Sequence, residues 1–184
     1  MEAEGVYGSS TCCMLTINMN YGRLNSVLLG DSGFIVVGRR EYSPDLHLVF
    51  RTPQQEHEFG RPYQLGHHKY ASKPQDAIMD NFQVVPGDTI VMGSDGLFDN
   101  LFLPTIIQQI DHHRSNGKSP QALVGKLIEM AHEVSLEKNV ETPYSQGFTE
   151  AFNLSCSGGK RDDITVLVAY LSEAPMVDAF GHGG

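Results

Sequence analysis

The chain has 184 residues, 40% apolar and 19% charged, and its 22 acidic against 13 basic side chains give a formal net charge of -9. That size and balance suit one globular domain with a real core. The acidity argues against a nucleic-acid partner, which calls for a basic face. Cys12, Cys13 and Cys156 are odd in number and form no CxxC, which excludes a disulfide framework and a zinc knuckle and fits a reducing, intracellular compartment. No apolar run reaches the ~18 residues of a membrane span, so no membrane role is expected. The start, Met1 to Gly5, has neither region of a signal peptide.

Apolar runs at Met14 to Met19 and Leu24 to Leu29, joined by Asn20-Tyr21-Gly22-Arg23, predict a hairpin. Gly30-Asp31-Ser32 is a tight connection to a further strand over Gly33 to Gly38. Residues 41 to 80 turn polar and Pro-, His- and Gln-rich, with one short apolar run at Leu46 to Phe50. They predict a short strand followed by a long surface excursion, of the kind that is functional or mobile. Pro86-Gly87-Asp88 sits between Asn81 to Val85 and Thr89 to Met92, which predicts a second hairpin.

Pro104 opens a helix carrying Ile106, Ile107 and Ile110, and Asn116-Gly117 stops it. Ser119-Pro120 caps the next, whose Leu123, Leu127, Ala131 and Val134 recur at spacings of a core-facing helix. Residues 139 to 161 read as irregular with one short helix near Phe148, and Ile164 to Leu171 as a last strand. Residues 174 to 184 read as a flexible tail. The expected class is α+β, with largely antiparallel sheets and helices packed outside.

Three sites place acids beside apolar runs: Asp31 after Leu28-Leu29-Gly30, Asp95 after Ile90 to Ser94 with Asp99 four residues on, and Asp162-Asp163 before Ile164 to Leu167. Each alone is an ordinary turn sequence. Brought together at converging strand ends, they would repel one another unless cations sat between them. Oxygen-only donors with no His among them select hard ions such as Mg²⁺ or Mn²⁺ over zinc.

Gly8-Ser9-Ser10-Thr11, Leu29-Gly30-Asp31-Ser32-Gly33, Gly93-Ser94-Asp95-Gly96-Leu97-Phe98-Asp99-Asn100 and Gly159-Lys160-Arg161-Asp162-Asp163-Ile164-Thr165-Val166 resemble, in order, the motifs of PP2C (PPM) metal-dependent Ser/Thr protein phosphatases. Gln54-Gln55-Glu56-His57 and Pro62-Tyr63-Gln64-Leu65 resemble the subgroup with mitochondrial and plastid members. The resemblance implies an α-β-β-α sandwich over residues 1 to 173 and hydrolysis of phosphoserine or phosphothreonine on proteins by a metal-activated water. It implies an intracellular site, mitochondrial or plastid by subgroup and otherwise cytoplasmic.

Position by position, it makes Asp95 and Asp162 ligands of a catalytic pair of Mg²⁺ or Mn²⁺ ions. Asp31 and Asp99 become ligands of a weaker third site. Gly96, counted with the metal-binding set, lets the backbone turn sharply beside the ion. Asp163, Ser94 and Thr165 support those ligands from behind. The family also carries an Asp-Gly-x-Gly-Gly motif before the position of Gly8, yet no Asp precedes Asp31. The expectation is an N-terminally truncated domain that alone binds metal weakly and turns over little. Self-association through an exposed sheet edge is also expected.

Rival readings are a catalytically inactive scaffold of the same fold and, remotely, a serine hydrolase using Ser32. The second fails because the nucleophile motif has Phe34 where a Gly is needed and no His precedes His47. Gly158-Gly159-Lys160 is no P-loop, since Leu154 stands where that motif needs Gly. The pairs His67-His68 and His112-His113 are expected on the surface, because adjacent helical residues point about 100° apart and do not share an ion.

Overall fold

The computed structural model describes residues 7–18, 20–40 and 43–173. The expected tail, 174 to 184, lies outside them. In chain order the strands are β1 (Ser9–Ser10), β2 (Cys12–Asn18), β3 (Arg23–Leu29), β4 (Gly33–Arg40), β5 (Ser43–Arg51), β6 (Glu56–Glu58), β7 (Arg61–Pro62), β8 (Leu65–Gly66), β9 (Ile78–Gln83) and β10 (Thr89–Gly93). Helices α1 (Asp95–Phe98), α2 (Leu103–Ser115), α3 (Pro120–Leu136) and α4 (Pro143–Phe152) follow, and β11 (Val166–Tyr170) comes last among the described residues.

Two antiparallel sheets stack. One runs β11-β10-β4-β5 and the other β2-β3-β9. Strand β4 lies inside the larger sheet and is buried from Gly33 to Gly38. A strand covered on both faces reads as a continuous apolar run, as Phe34 to Val37 does. Its alternation splits the core in two. Ile35 and Val37 join Val91, Ile106, Ile110, Leu123 and Leu127 under the helices. Phe34 and Val36 join Leu24, Ile90 and Phe82 between the sheets. Burying each such side chain contributes about 1.5–3 kcal/mol. The class is the expected α+β, and among the described residues helices α2 and α3 pack on the larger sheet. Met14 and Met79 stand 54% and 73% exposed on the outer face of the smaller one, where Val27 pairs with both.

Two expectations need correction. Strands β9 and β10 do not form a hairpin: β9 pairs with β3 and β10 with β4 and β11. The Pro86-Gly87-Asp88 turn instead carries the chain from one sheet to the other. Val84 N–H bonds Gly22 O on one side, and Gly87 N–H bonds Leu171 O on the other. His113 is buried, its Nδ1 2.8 Å from Gln109 O. It continues the Ile106–Ile110 face at helical spacing, so only His112 of that pair is exposed.

Candidate functional site

Strand β10 runs out at Gly93, and the chain turns at once into α1. Ser94 fixes this corner to the segment before β11. Its N–H donates to Thr165 O at 3.1 Å, its hydroxyl donates to Asp163 O at 2.9 Å, and Thr165 N–H donates back to that hydroxyl at 3.1 Å. The residues expected behind the acids thus join the two acid-bearing segments directly. Gly96 is where they come closest. A Cβ added there would lie 2.4 Å from Asp163 O, so only glycine fits.

Asn100, buried, completes the junction. Its Nδ2 donates to Gly96 O and to Lys160 O, each at 2.9 Å, and its Oδ1 accepts from Lys160 N–H at 2.9 Å. Both backbone groups of Lys160 are therefore held. Its side chain enters the acid cluster, with Nζ 2.6 Å from Asp95 Oδ2, 2.8 Å from Asp99 Oδ2 and 3.1 Å from Asp162 Oδ2. Three carboxylates from two segments of the chain meet at one ammonium.

Backbone donors orient two of them: Gly96 N–H meets Asp95 Oδ1 and Asp163 N–H meets Asp162 Oδ1, both at 2.9 Å. Asp31 sits buried at the β3–β4 crossing, where Gly30 takes φ +106°. It lines the same cleft as Asp99 and Lys160.

The electrostatics follow from this crowding. Burial, then the charge of Asp95, pushes the Asp31 carboxyl up to about 6. Burial also raises Asp99, against the hydrogen bond from Lys160. At Asp162 partial burial works upward, but the Lys160 hydrogen bond and the Asp163 N–H outweigh it and hold the carboxyl below its usual range. Burial works against the Lys160 charge, yet its bonds to Asp95 and Asp99 prevail and raise it above the ordinary lysine range.

Beside the cluster opens a cleft of about 370 Å³ lined by Asp31, Arg51, Glu56, Phe59, Tyr144 and Lys160, among others. Its outer wall is the polar excursion after β5. Gln55 anchors that wall, its N–H donating to Gly30 O at 2.9 Å and its Oε1 accepting from Gly30 N–H at 3.2 Å. Phe59 packs against Tyr144, Phe148 and Phe152 of α4 with ring centroids 5.5–6.1 Å apart. Gly147 makes room for that ring, since an added Cβ there would lie 2.7 Å from Phe59 Cε2.

The structure thus brings Asp95, Asp99 and Asp162 together at Lys160, sets Asp31 in the cleft that Asp99 and Lys160 line, and places Gly96, Ser94, Asp163 and Thr165 as the frame. Sequence reasoning missed Lys160, Asn100 and Arg51. A cation directly before Asp162-Asp163 was the available signal for Lys160. Ser32 Oγ pairs with Thr11 Oγ1 at 2.8 Å, and among the described residues no hydrogen bond links it to a histidine, which leaves the hydrolase reading without a base. Among the described residues, no three Asp, Glu, His or Cys side chains are placed to close on one ion as they stand.

The chain is similar to the Probable protein phosphatase 2C 55 of Arabidopsis thaliana, at 39% identity over 90% of this chain and 33% of that one. It is similar to the human Protein phosphatase PTC7 homolog, at 36% identity over 90% of this chain and 55% of that protein. The chain therefore spans between a third and about half of these curated relatives. Among solved structures, the photosystem II phosphatase PBCP superposes with a TM-score of 0.79 at 30% identity, covering 92% of this chain and 67% of that one. No protein-family model matches.

Proposed function

The chain belongs to the protein phosphatase 2C family, and we propose that it carries the carboxylate core of a metal-dependent phosphatase acting on phosphoserine and phosphothreonine in proteins. The observation that supports this most is the convergence of Asp95, Asp99 and Asp162 on one positive charge, with Asp31 in the cleft that Asp99 and Lys160 line. The Lys160 ammonium acts there as a stand-in cation. The donor set is oxygen throughout, which suits Mg²⁺ or Mn²⁺.

Asp95 and Asp162 would hold the catalytic ions, and Asp31 and Asp99 a further one. When bound, such ions lower the pKa of a coordinated water and offset charge on the phosphoryl oxygens. The chain's own part is to aim the oxygens. Gly96 N–H and Asp163 N–H fix the Asp95 and Asp162 carboxylates, and the Ser94–Thr165 bonds keep the two segments in register. Arg51 and Lys160 bring positive charge to the cleft, which suits a phosphomonoester. By the resemblance of residues 54 to 65, a mitochondrial or plastid setting fits.

The test is Mn²⁺-dependent release of phosphate from a phosphothreonine peptide by this chain and by Asp95→Ala. Turnover by the chain itself is expected to be slow, and to fall about a hundredfold further in the variant. Equal release with and without Mn²⁺, unchanged in Asp95→Ala, would contradict the reading. Tight Mn²⁺ binding with no release at all would favour the inactive scaffold, a reading to which Lys160 seated among the ligands gives some support.

A further inference from the structure

Lys160 sits where an ion is needed, and its backbone and side chain behave differently. Asn100 fixes the backbone at both the N–H and the carbonyl, so the Cα stays in place. The side chain has four rotatable carbons, is 28% exposed, and borders an open cleft. An ammonium offers three donors; Asp95 and Asp99 accept hydrogen bonds from it at 2.6 and 2.8 Å, and Asp162 Oδ2 stands in ion-pair contact at 3.1 Å.

A hydrogen-bonded ring of this kind is wider than a coordination shell, because Mg²⁺ holds oxygens at about 2.1 Å. This explains why these carboxylates, though gathered, do not stand ready to close on an ion. The ammonium and a divalent ion compete for the same oxygens and cannot share them. An alternative seat exists within reach. The Nζ already lies 5.8 Å from the centroid of the Tyr144 ring, on the cleft side, where a cation gains from the aromatic face.

We propose that Lys160 is a tethered counter-ion: it compensates the Asp95–Asp99–Asp162 cluster without metal and must swing out into the cleft, toward Tyr144, for a divalent ion to enter. This rests on the metal-centre reading above and adds a gate to it. A lysine of this kind keeps the metal-free protein folded and lowers its apparent metal affinity, since part of the ion's binding energy goes into displacing the ammonium. A lysine with only a structural role would do the opposite, because its removal would loosen the ligands and weaken metal binding.

Calorimetric titration of the EDTA-stripped chain with Mn²⁺ separates the cases. Lys160→Gln is expected to bind Mn²⁺ roughly tenfold tighter than the wild type, while Lys160→Arg, which keeps the charge, stays near the wild type. Equal or weaker binding by Lys160→Gln overturns the gate and leaves the metal centre intact. Absence of Mn²⁺ binding by both proteins overturns the metal centre itself. A second readout uses unaltered protein. Acetylation of Lys160 by a small acylating reagent, followed by peptide mass spectrometry, is expected to speed up on adding Mg²⁺. An unchanged or slower rate would equally overturn displacement.

Discussion

Strand β10 has an aspartate at each end. Asp88, before Thr89, has a side chain with no solvent exposure and one cationic partner. Arg40 reaches it with two nitrogens at 2.7 and 3.1 Å, and Val85 N–H adds a bond at 3.0 Å. Gly38 packs beneath it so closely that an added Cβ would lie 1.9 Å from Asp88 Oδ1. Asp95, after Gly93, shares a single ammonium with Asp99 and Asp162, and Asp99 and that lysine line an open cleft.

One end has one charge against one, with both carboxylate oxygens bonded. The other has three against one, with backbone donors aiming the oxygens outward. The first arrangement is complete as it stands and ties the end of β4 to the start of β10 within one sheet. The second holds surplus negative charge, which only further cations relieve. The same side chain on the same strand is thus structural at one end and a candidate ligand at the other, and the local charge count separates them.

Removing the carboxylate should separate them too. Asp88→Ala leaves the Arg40 guanidinium beside a buried void and is expected to lower unfolding free energy by about 3 kcal/mol. Asp95→Asn relieves repulsion and is expected to stay within about 1 kcal/mol of the wild type in EDTA. Urea denaturation of the metal-free proteins measures both. Similar losses from the two variants would erase the distinction.

Much of this was legible in the sequence. Asp31, Asp95 and Asp162 each stand beside an apolar run with Asp99 four residues after Asp95, and motif order in the family resemblance singled them out. Gly96 was readable as a turn residue, though its actual constraint is the approach of Asp163 O. The β9–β10 relation was not legible, because Pro-Gly-Asp marks a turn without saying whether the next strand stays in the same sheet. Lys160 was hidden for a similar reason. Its role depends on Asn100 drawing residue 160 across to α1, a contact 60 residues away in the chain. His113 was misplaced because a polar side chain carries no apolar signal, even when it continues the Ile106–Ile110 face.

A smaller effect sharpens the contrast through pH. The Asp31 carboxyl is raised in the fold from an ordinary 3.8 to about 6. A raised carboxyl contributes stability that is fully present below about 3.8 and is lost as pH rises through about 6. Asp31→Asn removes that loss. In EDTA the variant is expected to be more stable than the wild type by about 1 kcal/mol at pH 7 after allowing for solvent screening, with the advantage shrinking toward pH 4. Thermal melts across that range check it. A variant less stable at pH 7 would show that Asp31 is held by structural bonds, as Asp88 is.

The most direct test places the ion. Crystals grown with Mn²⁺ and measured at its absorption edge should show anomalous density bounded by the carboxylates of Asp95 and Asp162, with the Lys160 ammonium moved away from them into the cleft. Anomalous density elsewhere, with Lys160 still bridging Asp95, Asp99 and Asp162, would contradict a metal centre at this end of β10.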